Sequence, residues 1–328
     1  MIALLLTLAS SALMCGAYLH LARRWHIVDQ PNTRSSHEQP TPHGGGTPLM
    51  LSFTLGVIVY SFLYKLLSPI YAFTLAAAIG LCLIGVIDDI RGLSARFRLA
   101  AYAVACALFV SLLPPPLPLL TGLWTPLASA LIFIALLWLV NLYNFMDGID
   151  GIAAIQCFVA CCSAALLTWW RSGEDTYAMV CLLLAASHLG FLLWNFPPAR
   201  LFLGDAGSVP TGFLLGALAL IGEASGSLPA ACWIILLAAF LVDATWTLLR
   251  RMLHGERFME AHRSHGYQRL ALHWGGHLPV DLLLLAINGL WLFPLAALTA
   301  AFPQWQWLLV ILAFLPLSAG MAILGKLA

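Results

Sequence analysis

Long apolar runs occupy most of this chain, and they restrict it to the few folds that a lipid bilayer allows. About eleven runs come near the roughly 17–25 residues with which an α-helix crosses the hydrocarbon core. The predicted spans are residues 2–21, 49–67, 70–87, 99–113, 123–142, 151–170, 177–194, 209–222, 229–249, 280–300 and 306–325. Backbone groups in lipid must pair within their own segment, so these spans should be helices. We therefore predict an all-α polytopic membrane protein, with residues 1–328 forming one domain.

Composition excludes a soluble protein, because 62% of the residues are hydrophobic and only 9% are charged. Soluble domains carry about a quarter charged residues. The first run lacks a basic leader and a small-residue cleavage site, so we expect a retained helix rather than a signal peptide. The eight cysteines lie inside apolar runs without a CxxC pair. They are therefore expected to pack as small hydrophobic residues, without a metal or a disulfide bond.

Five polar segments interrupt the apolar runs and should all lie on one side of the membrane. They are residues 29–46, 88–98, 141–150, 195–208 and 250–277, and they hold nine of the 14 acidic residues. Thirteen of the 15 lysines and arginines fall on the same side of an eleven-span arrangement. Because positive charge stays cytoplasmic, the N-terminus should face outward and the five segments inward. Carboxylates gathered there from distant loops predict one active site.

The adjacent carboxylates of Asp88 and Asp89 follow the third predicted span. Adjacent acids repel each other unless a cation or a proton lies beside them. A solvated helix end is the alternative interpretation, but an acid at a helix C-terminus opposes the helix dipole. The pair therefore indicates a site for Mg²⁺ or phosphate.

Four polar residues recur at intervals of three between the fifth and sixth predicted spans: Asn141, Asn144, Asp147 and Asp150. On a regular helix this spacing would spread them over about half of the surface, since each step drifts by about 60°. Glycines at 148 and 151 offer a break that lets them converge. Amide and carboxylate oxygens at such a break suit a hard cation or sugar hydroxyls. A polar cap between two spans is the alternative.

The segment 195–208 leaves one span at Pro197 and Pro198 and enters the next after a glycine-flanked Asp205. The amides of the following helix start could face a phosphate. Asp205 is then a candidate Mg²⁺ ligand, and a simple re-entry turn is the alternative.

The first and last polar segments are the basic parts of the predicted site. Arg34 and His37 can meet anionic oxygens, although a flexible linker would look similar. His262 and His265 are three residues apart but lack the other ligands of a zinc site. Phosphate or nucleotide recognition is therefore expected, with Arg263 between them. Asp243 lies within a span, where an acid is either functional or a structural partner.

In chain order the segments read DxPNxRSSHxxPTPxGGG, DD, NxxNxxDGIDG, NFPPARLFLGDAGS and HRSHxYQRL. This order, over nearly the whole chain, resembles the bacterial polyprenyl-phosphate N-acetylhexosamine-1-phosphate transferases. That superfamily includes the phospho-N-acetylmuramoyl-pentapeptide translocase and enzymes that start O-antigen and wall-polymer chains. The resemblance implies transfer of a sugar-1-phosphate from a UDP-N-acetylhexosamine to undecaprenyl phosphate, with release of UMP and with Mg²⁺, or Mn²⁺ in its place.

The resemblance also implies roles for individual residues. The implied catalytic residues are Asp88, Asp89, Asp147 and Asp150. The implied substrate-binding residues are Asp29, Asn32, Arg34, His37, Asn141, Asn195, His262, Arg263 and His265. The implied metal ligands are Asp205 and Asn144. His43 departs from the family, which has a basic residue such as Arg before the triple glycine, and histidine titrates near neutrality.

The last motif differs from the triple-histidine loop of the muramoyl-pentapeptide enzymes and looks more like that of O-antigen initiators, some of which use 6-deoxy-N-acetylhexosamines. Two other classes remain to be weighed. A proton-coupled transporter would place acids near mid-span, where only Asp243 comes close. An intramembrane aspartyl protease would carry two aspartates within spans, one of them in a GxGD motif, but Phe202 occupies the position of its first glycine. The lipid bilayer is an expected partner, and nucleic acid is not. The sequence does not decide which sugar is transferred or whether the protein forms a homodimer.

Overall fold

The computed structural model describes residues 1–24, 27–29, 40–64, 68–114, 117–120, 122–173, 175–255 and 264–325. Within these residues the chain is almost entirely helical. Its α-helices are α1 (Ile2–Arg24), α2 (Gly46–Tyr64), α3 (Pro69–Arg91), α4 (Ala95–Ser111), α5 (Thr125–Met146), α6 (Ile152–Arg171), α7 (Asp175–Asn195), α8 (Asp205–Ser225), α9 (Ala230–Leu236), α10 (Ala238–Leu253), α11 (Gly266–Trp274), α12 (Leu278–Ile287), α13 (Phe293–Ala301) and α14 (Gln306–Leu324). The all-α prediction is confirmed.

One small ladder was not expected from the sequence. Strand β1 (Val28–Asp29) pairs antiparallel with β2 (Thr41–Pro42), with Val28 opposite Pro42. A π-helical turn at Asn288–Leu292 joins α12 to α13, so that the two form one span.

Each predicted run coincides with one of these helices or helix pairs. In the described parts of the chain, nine segments are long and apolar enough to cross a membrane, and a tenth forms if α9 and α10, bent by 70°, count as one span. The remaining predicted run is α4, with 17 residues. At 1.5 Å per residue it is about 25 Å long, which is short for a hydrocarbon core of about 30 Å.

Helix α8 lies at the centre of the bundle. The sequence predicted its span as residues 209–222, but the helix has 21 residues and begins at Asp205. Within the apolar stretch of α8, 89% of the residues are buried inside the protein, compared with 11% for the last span, Pro303–Leu324. The beginning of α8 was missed because it is rich in small and polar residues, which a helix tolerates when it faces other helices instead of lipid.

Glycines bring two other helices close to the start of α8. A Cβ at Gly85 of α3 would lie 2.5 Å from the backbone of Asp205, and one at Gly46 of α2 would collide with the backbone of Gly207. The amide of Gly45 also donates to Phe202 O at 2.9 Å. Close backbone approach therefore fixes where α8 begins relative to α2 and α3.

Candidate active site

Two carboxylates from distant parts of the chain face one guanidinium. Arg98 Nη1 lies 2.6 Å from Asp88 Oδ2 and 3.1 Å from Asp205 Oδ2. Asp88 Oδ1 also accepts from the amide of Leu93 at 2.6 Å. The C-terminal end of α3, the first turn of α4 and the start of α8 thus meet around one cation, as neighbouring carboxylates require.

Asp89 contacts a different partner from that of Asp88. Its two oxygens accept from the amides of Asp205 and Ala206, at 3.1 and 3.3 Å. Amides of a first helical turn lack partners within the helix, and a carboxylate there satisfies them and complements the helix dipole. Asp89 therefore holds the start of α8, and with it Asp205. Its predicted catalytic role stays a prediction.

Asn144 connects the end of α5 to the same place. Its Nδ2 donates to Asp205 Oδ1 at 2.8 Å and to Ser208 Oγ at 2.9 Å. Asp205 therefore has an amide on one oxygen and a guanidinium on the other. This is a polar site built from helix ends, at the edge of the apolar bundle.

Asp147 is the C-cap residue of α5, directly after the last helical residue, Met146. Within the described residues its side chain makes no hydrogen bond. Burial, followed by the charges of Asp205 and Asp89, raises the pKa of this carboxyl from 3.8 to about 8. A carboxyl that titrates near neutral pH beside other acids is typical of sites that move protons or bind cations.

The four polar residues of the motif 141–150 do not converge on one point. Asn144 contacts Asp205, whereas Asn141 donates to Leu137 O in its own helix at 2.7 Å. Asp150 Oδ2 accepts from the amide of Ala199 at 3.0 Å. The chain turns between them, so the motif supplies two neighbouring regions. The roles predicted for Asn141 and Asp150 stay predictions.

Asp150 belongs to a second region, at the start of α6. His277 Nδ1 lies 3.1 Å from its Oδ2 and 3.2 Å from its backbone nitrogen. The ring can therefore donate to the carboxylate or accept from the amide, depending on its protonation. Asn195 is buried beside it, with Oδ1 accepting from Gly151 N and Nδ2 donating to Leu201 O, both at 3.0 Å. These bonds give Asn195 a structural contact, and its predicted substrate role stays a prediction.

His265, predicted to bind substrate, is buried. Its Nδ1 lies 3.1 Å from Asp243 Oδ1. The histidine is therefore packed against α10, and substrate binding by it stays a prediction. Asp29 ends the short strand β1. The other predicted substrate-binding residues lie outside the described part of the chain: Asn32, Arg34, His37, His262 and Arg263.

Three site residues were not identified from the sequence. In the sequence analysis Arg98 was counted only as one of the positive charges that set the topology. Its place in the same polar segment as Asp88 was a usable signal. His277 lies outside the five motifs, at the end of the last polar segment. Asp281, in α12, is completely buried, and neither of its carboxylate oxygens has a hydrogen-bond partner in the described structure. Its Oδ2 would lie 2.8 Å from a Cβ at Gly151, and an acid within an apolar run was the signal for it.

The donor chemistry of the first region suits a magnesium ion held jointly with phosphate. Among the described residues, no group of three or more His, Cys, Asp or Glu side chains is arranged to hold a metal alone. Mg²⁺ is commonly bound by one or two carboxylates, with substrate phosphates and water completing its shell. Asp205 and Asp88, which approach the same guanidinium, fit that pattern. The predicted ligands Asp205 and Asn144 stay a prediction.

Similarity to characterised families agrees with this arrangement. The sequence model of the family glycosyl transferase family 4 matches residues 71–223, which include Asp88 and Asp205, the two carboxylates that contact Arg98. The chain is 31% identical over 283 residues to the decaprenyl-phosphate N-acetylglucosaminephosphotransferase of Mycolicibacterium smegmatis, covering 76% of this chain and 70% of that one.

Two further relatives point the same way. A probable undecaprenyl-phosphate N-acetylglucosaminyl 1-phosphate transferase of Bacillus subtilis is 26% identical over 286 residues, covering 82% of this chain and 76% of the relative. The undecaprenyl-phosphate alpha-N-acetylglucosaminyl 1-phosphate transferase of Escherichia coli K12 is 28% identical over 262 residues, covering 75% and 69%. The resemblance drawn from the five motifs is confirmed, and the chain belongs to this family of polyprenyl-phosphate sugar-phosphate transferases, glycosyl transferase family 4.

Proposed function

We propose that the protein transfers an N-acetylhexosamine-1-phosphate, or its 6-deoxy form, from a UDP-sugar to undecaprenyl phosphate. An oxygen of the lipid phosphate attacks the sugar-bound phosphorus of the nucleotide. The bond to the bridging oxygen breaks, UMP leaves with the electron pair, and a lipid-linked pyrophosphoryl sugar forms. The product would begin an O-antigen or another cell-envelope polysaccharide.

The observation that supports this proposal most directly is the meeting of Asp88, Arg98 and Asp205 at the ends of three helices. Transfer between two anions depends mainly on charge neutralisation and positioning. One substrate is anchored in lipid and the other is water-soluble, so a polar site at the ends of spans is where both can meet. A transporter would need acids near mid-span, whereas the acids of this cluster lie at helix ends.

Each residue of the cluster has a proposed task. Asp88 orients the lipid phosphate, which is already largely ionised at pH 7, since its second pKa is about 6. Asp89 keeps the start of α8 in place, and Asn144 orients the carboxylate of Asp205. A Mg²⁺ ion bound at Asp205 would neutralise charge on the pyrophosphate. Arg98 offers donors to a phosphate oxygen when a cation takes its place beside Asp205.

Purified protein in detergent, supplied with Mg²⁺, undecaprenyl phosphate and a panel of UDP-N-acetylhexosamines, tests the reaction. We expect UMP release that needs the lipid phosphate, with one sugar preferred. Release that is independent of the lipid would contradict the transfer. Substrate uptake into vesicles without UMP release would support a transporter instead.

The spans and the bacterial relatives make this a multi-pass protein of the bacterial inner membrane. We propose that the N-terminus lies outside and the Arg98 cluster faces the cytoplasm, because most of the basic residues lie on that side. Ser94 and Ser172 are both exposed and are predicted to lie on opposite sides. In intact cells an impermeant maleimide should label a Ser172→Cys variant and spare Ser94→Cys. The reverse labelling would invert the proposed topology.

A further inference from the structure

A buried carboxylate in α10 holds the beginning of α11. Asp243 accepts from the amide of Gly266 at 2.9 Å on one oxygen and from the amide of Tyr267 at 2.9 Å on the other. His265 and Thr247 also contact Oδ1. The carboxylate thus satisfies the partnerless amides of the first turn of α11 and complements its dipole. The hydrogen bonds of this carboxylate within the described residues are to the first turn of α11, to the N-cap residue His265 and to its own helix.

Helix α11 in turn reaches the motif that contains Asp147. The hydroxyl of Tyr267 donates to Phe145 O, in the last turn of α5, at 3.0 Å. The same hydroxyl occupies the space that a Cβ on Gly148 would need, and the ring carbon Cζ lies 3.2 Å from that position. The phenol of Tyr267 therefore contacts the backbone on both sides of Asp147, at Phe145 and at Gly148.

We infer that Asp243 and Tyr267 are positioning residues, which hold the turn 147–150 through α11 in the geometry that the reaction uses. The inference rests on the proposed transferase function. Neither side chain is among the groups that contact Asp205. Their effect would come through Asp147, whose position depends on the end of α5. A displacement of about 1 Å in such a group can lower a rate by about 10²-fold.

Two buried tyrosines provide a matched comparison. Tyr177 is also buried, and its hydroxyl donates to Leu218 O at 2.8 Å, far along α8 from Asp205. At 1.5 Å per residue the distance along that helix is about 20 Å. Tyr267→Phe and Tyr177→Phe each delete one hydroxyl that donates to a carbonyl. The Tyr177 hydroxyl also accepts from Trp233 Nε1 at 2.7 Å, so the control variant should lose at least as much stability as Tyr267→Phe. Both should therefore lower the melting temperature by a few degrees.

The first measurement is amide hydrogen exchange of the peptide that spans residues 145–151. We expect at least about tenfold faster exchange in Tyr267→Phe than in the wild type, and no change in Tyr177→Phe. The second is turnover, where kcat should fall at least about tenfold in Tyr267→Phe, with both KM values nearly unchanged and the control within twofold of wild type.

A steric test uses Gly148. Gly148→Ala should reduce kcat because its methyl collides with the Tyr267 hydroxyl. Adding Tyr267→Phe should then cost much less than the tenfold that it costs alone, because both substitutions disturb the same contact. Asp243→Asn should reproduce the faster exchange, since an amide nitrogen cannot accept from the second N–H.

Unchanged exchange in Tyr267→Phe, or faster exchange with full kcat, would overturn the inference, as would a double variant in which the losses of kcat from Gly148→Ala and Tyr267→Phe simply multiply. If the wild type releases no UMP with any sugar, the proposed reaction fails. The exchange data then still decide whether α11 holds the turn.

Discussion

The carboxylates of Asp88 and Asp205, compared with the buried carboxylate of Asp243, illustrate two different uses of acids in this protein. Asp243 accepts from two backbone amides of one helix start, and its contacts are internal. Asp88 and Asp205 instead share the guanidinium of Arg98, whose side chain is 34% exposed. A carboxylate that is satisfied by backbone is committed to structure, whereas one opposed by a flexible, partly solvated side chain can exchange that partner for a ligand.

Asp89 shows that the two uses can occur at adjacent positions. Like Asp243 it accepts from the amides of a helix start, yet it follows Asp88 directly in the chain. The comparison therefore predicts different consequences for substitutions that are chemically identical.

The largest effect is expected from Asp205→Asn. Loss of the carboxylate removes the negative charge at which Mg²⁺ and the pyrophosphate would meet, and we expect turnover to fall by about 10³-fold, the upper range for loss of one electrostatic group. Asp175→Asn, at the start of α7, is the matched control and should keep full activity. The rates are measured over a Mg²⁺ titration. Near wild-type turnover of Asp205→Asn at limiting Mg²⁺ would show that Asp205 is not the ligand.

Asp88→Asn and Asp89→Asn should separate chemistry from structure. For Asp88→Asn we expect a loss of at least about 10²-fold in rate, with little change in melting temperature. For Asp89→Asn we expect a loss of about 1–2 kcal/mol in unfolding free energy, typical of a lost helix cap, with a smaller loss of rate. Rate assays and thermal unfolding on the same preparations measure both. Equal and mild effects would favour a solvated helix end.

A smaller effect, of several-fold, is expected from Arg98→Ala on metal affinity. The guanidinium competes with a divalent cation for Asp205, and its removal leaves two facing carboxylates without a positive partner. The Mg²⁺ concentration for half-maximal rate should therefore fall, even as kcat declines. Arg96→Ala, exposed on the same helix, should change neither. A higher Mg²⁺ requirement in Arg98→Ala would mean that the arginine assists the metal site instead of competing with it.

The last effect concerns the dependence of stability on pH. Because the pKa of Asp147 is raised to about 8 in the folded protein, from 3.8, the folded state holds this proton more tightly than the unfolded chain. The stability from that proton is present below about pH 4 and is lost as the pH rises through about 8. In Mg²⁺-free detergent, Asp147→Asn should melt with the wild type near pH 4 and up to about ten degrees above it near pH 9. A constant difference across this range would contradict the raised pKa.

The sequence alone determined the class of protein and singled out most of the side chains that form the polar cluster around Arg98. Apolar runs of spanning length required a helical bundle, because a helix pairs all of its backbone N–H and C=O groups within its own segment in lipid. The segments that hold Asp88, Asn144 and Asp205 were expected on one face, and the described parts of these segments contact one another. The side of the membrane that they face stays a prediction.

Only the tertiary structure decided what each polar side chain contacts. Neighbours in sequence, such as Asp88 and Asp89, differ because one faces an arginine and the other a helix start. Residues 141–150 separate into two regions because the chain turns at Gly148 and Gly151, so that a regular spacing did not become a shared location. The sequence marked Arg98 and Asp281 as unusual, but the ion pairs of the first and the complete burial of the second depend on side chains brought from distant helices.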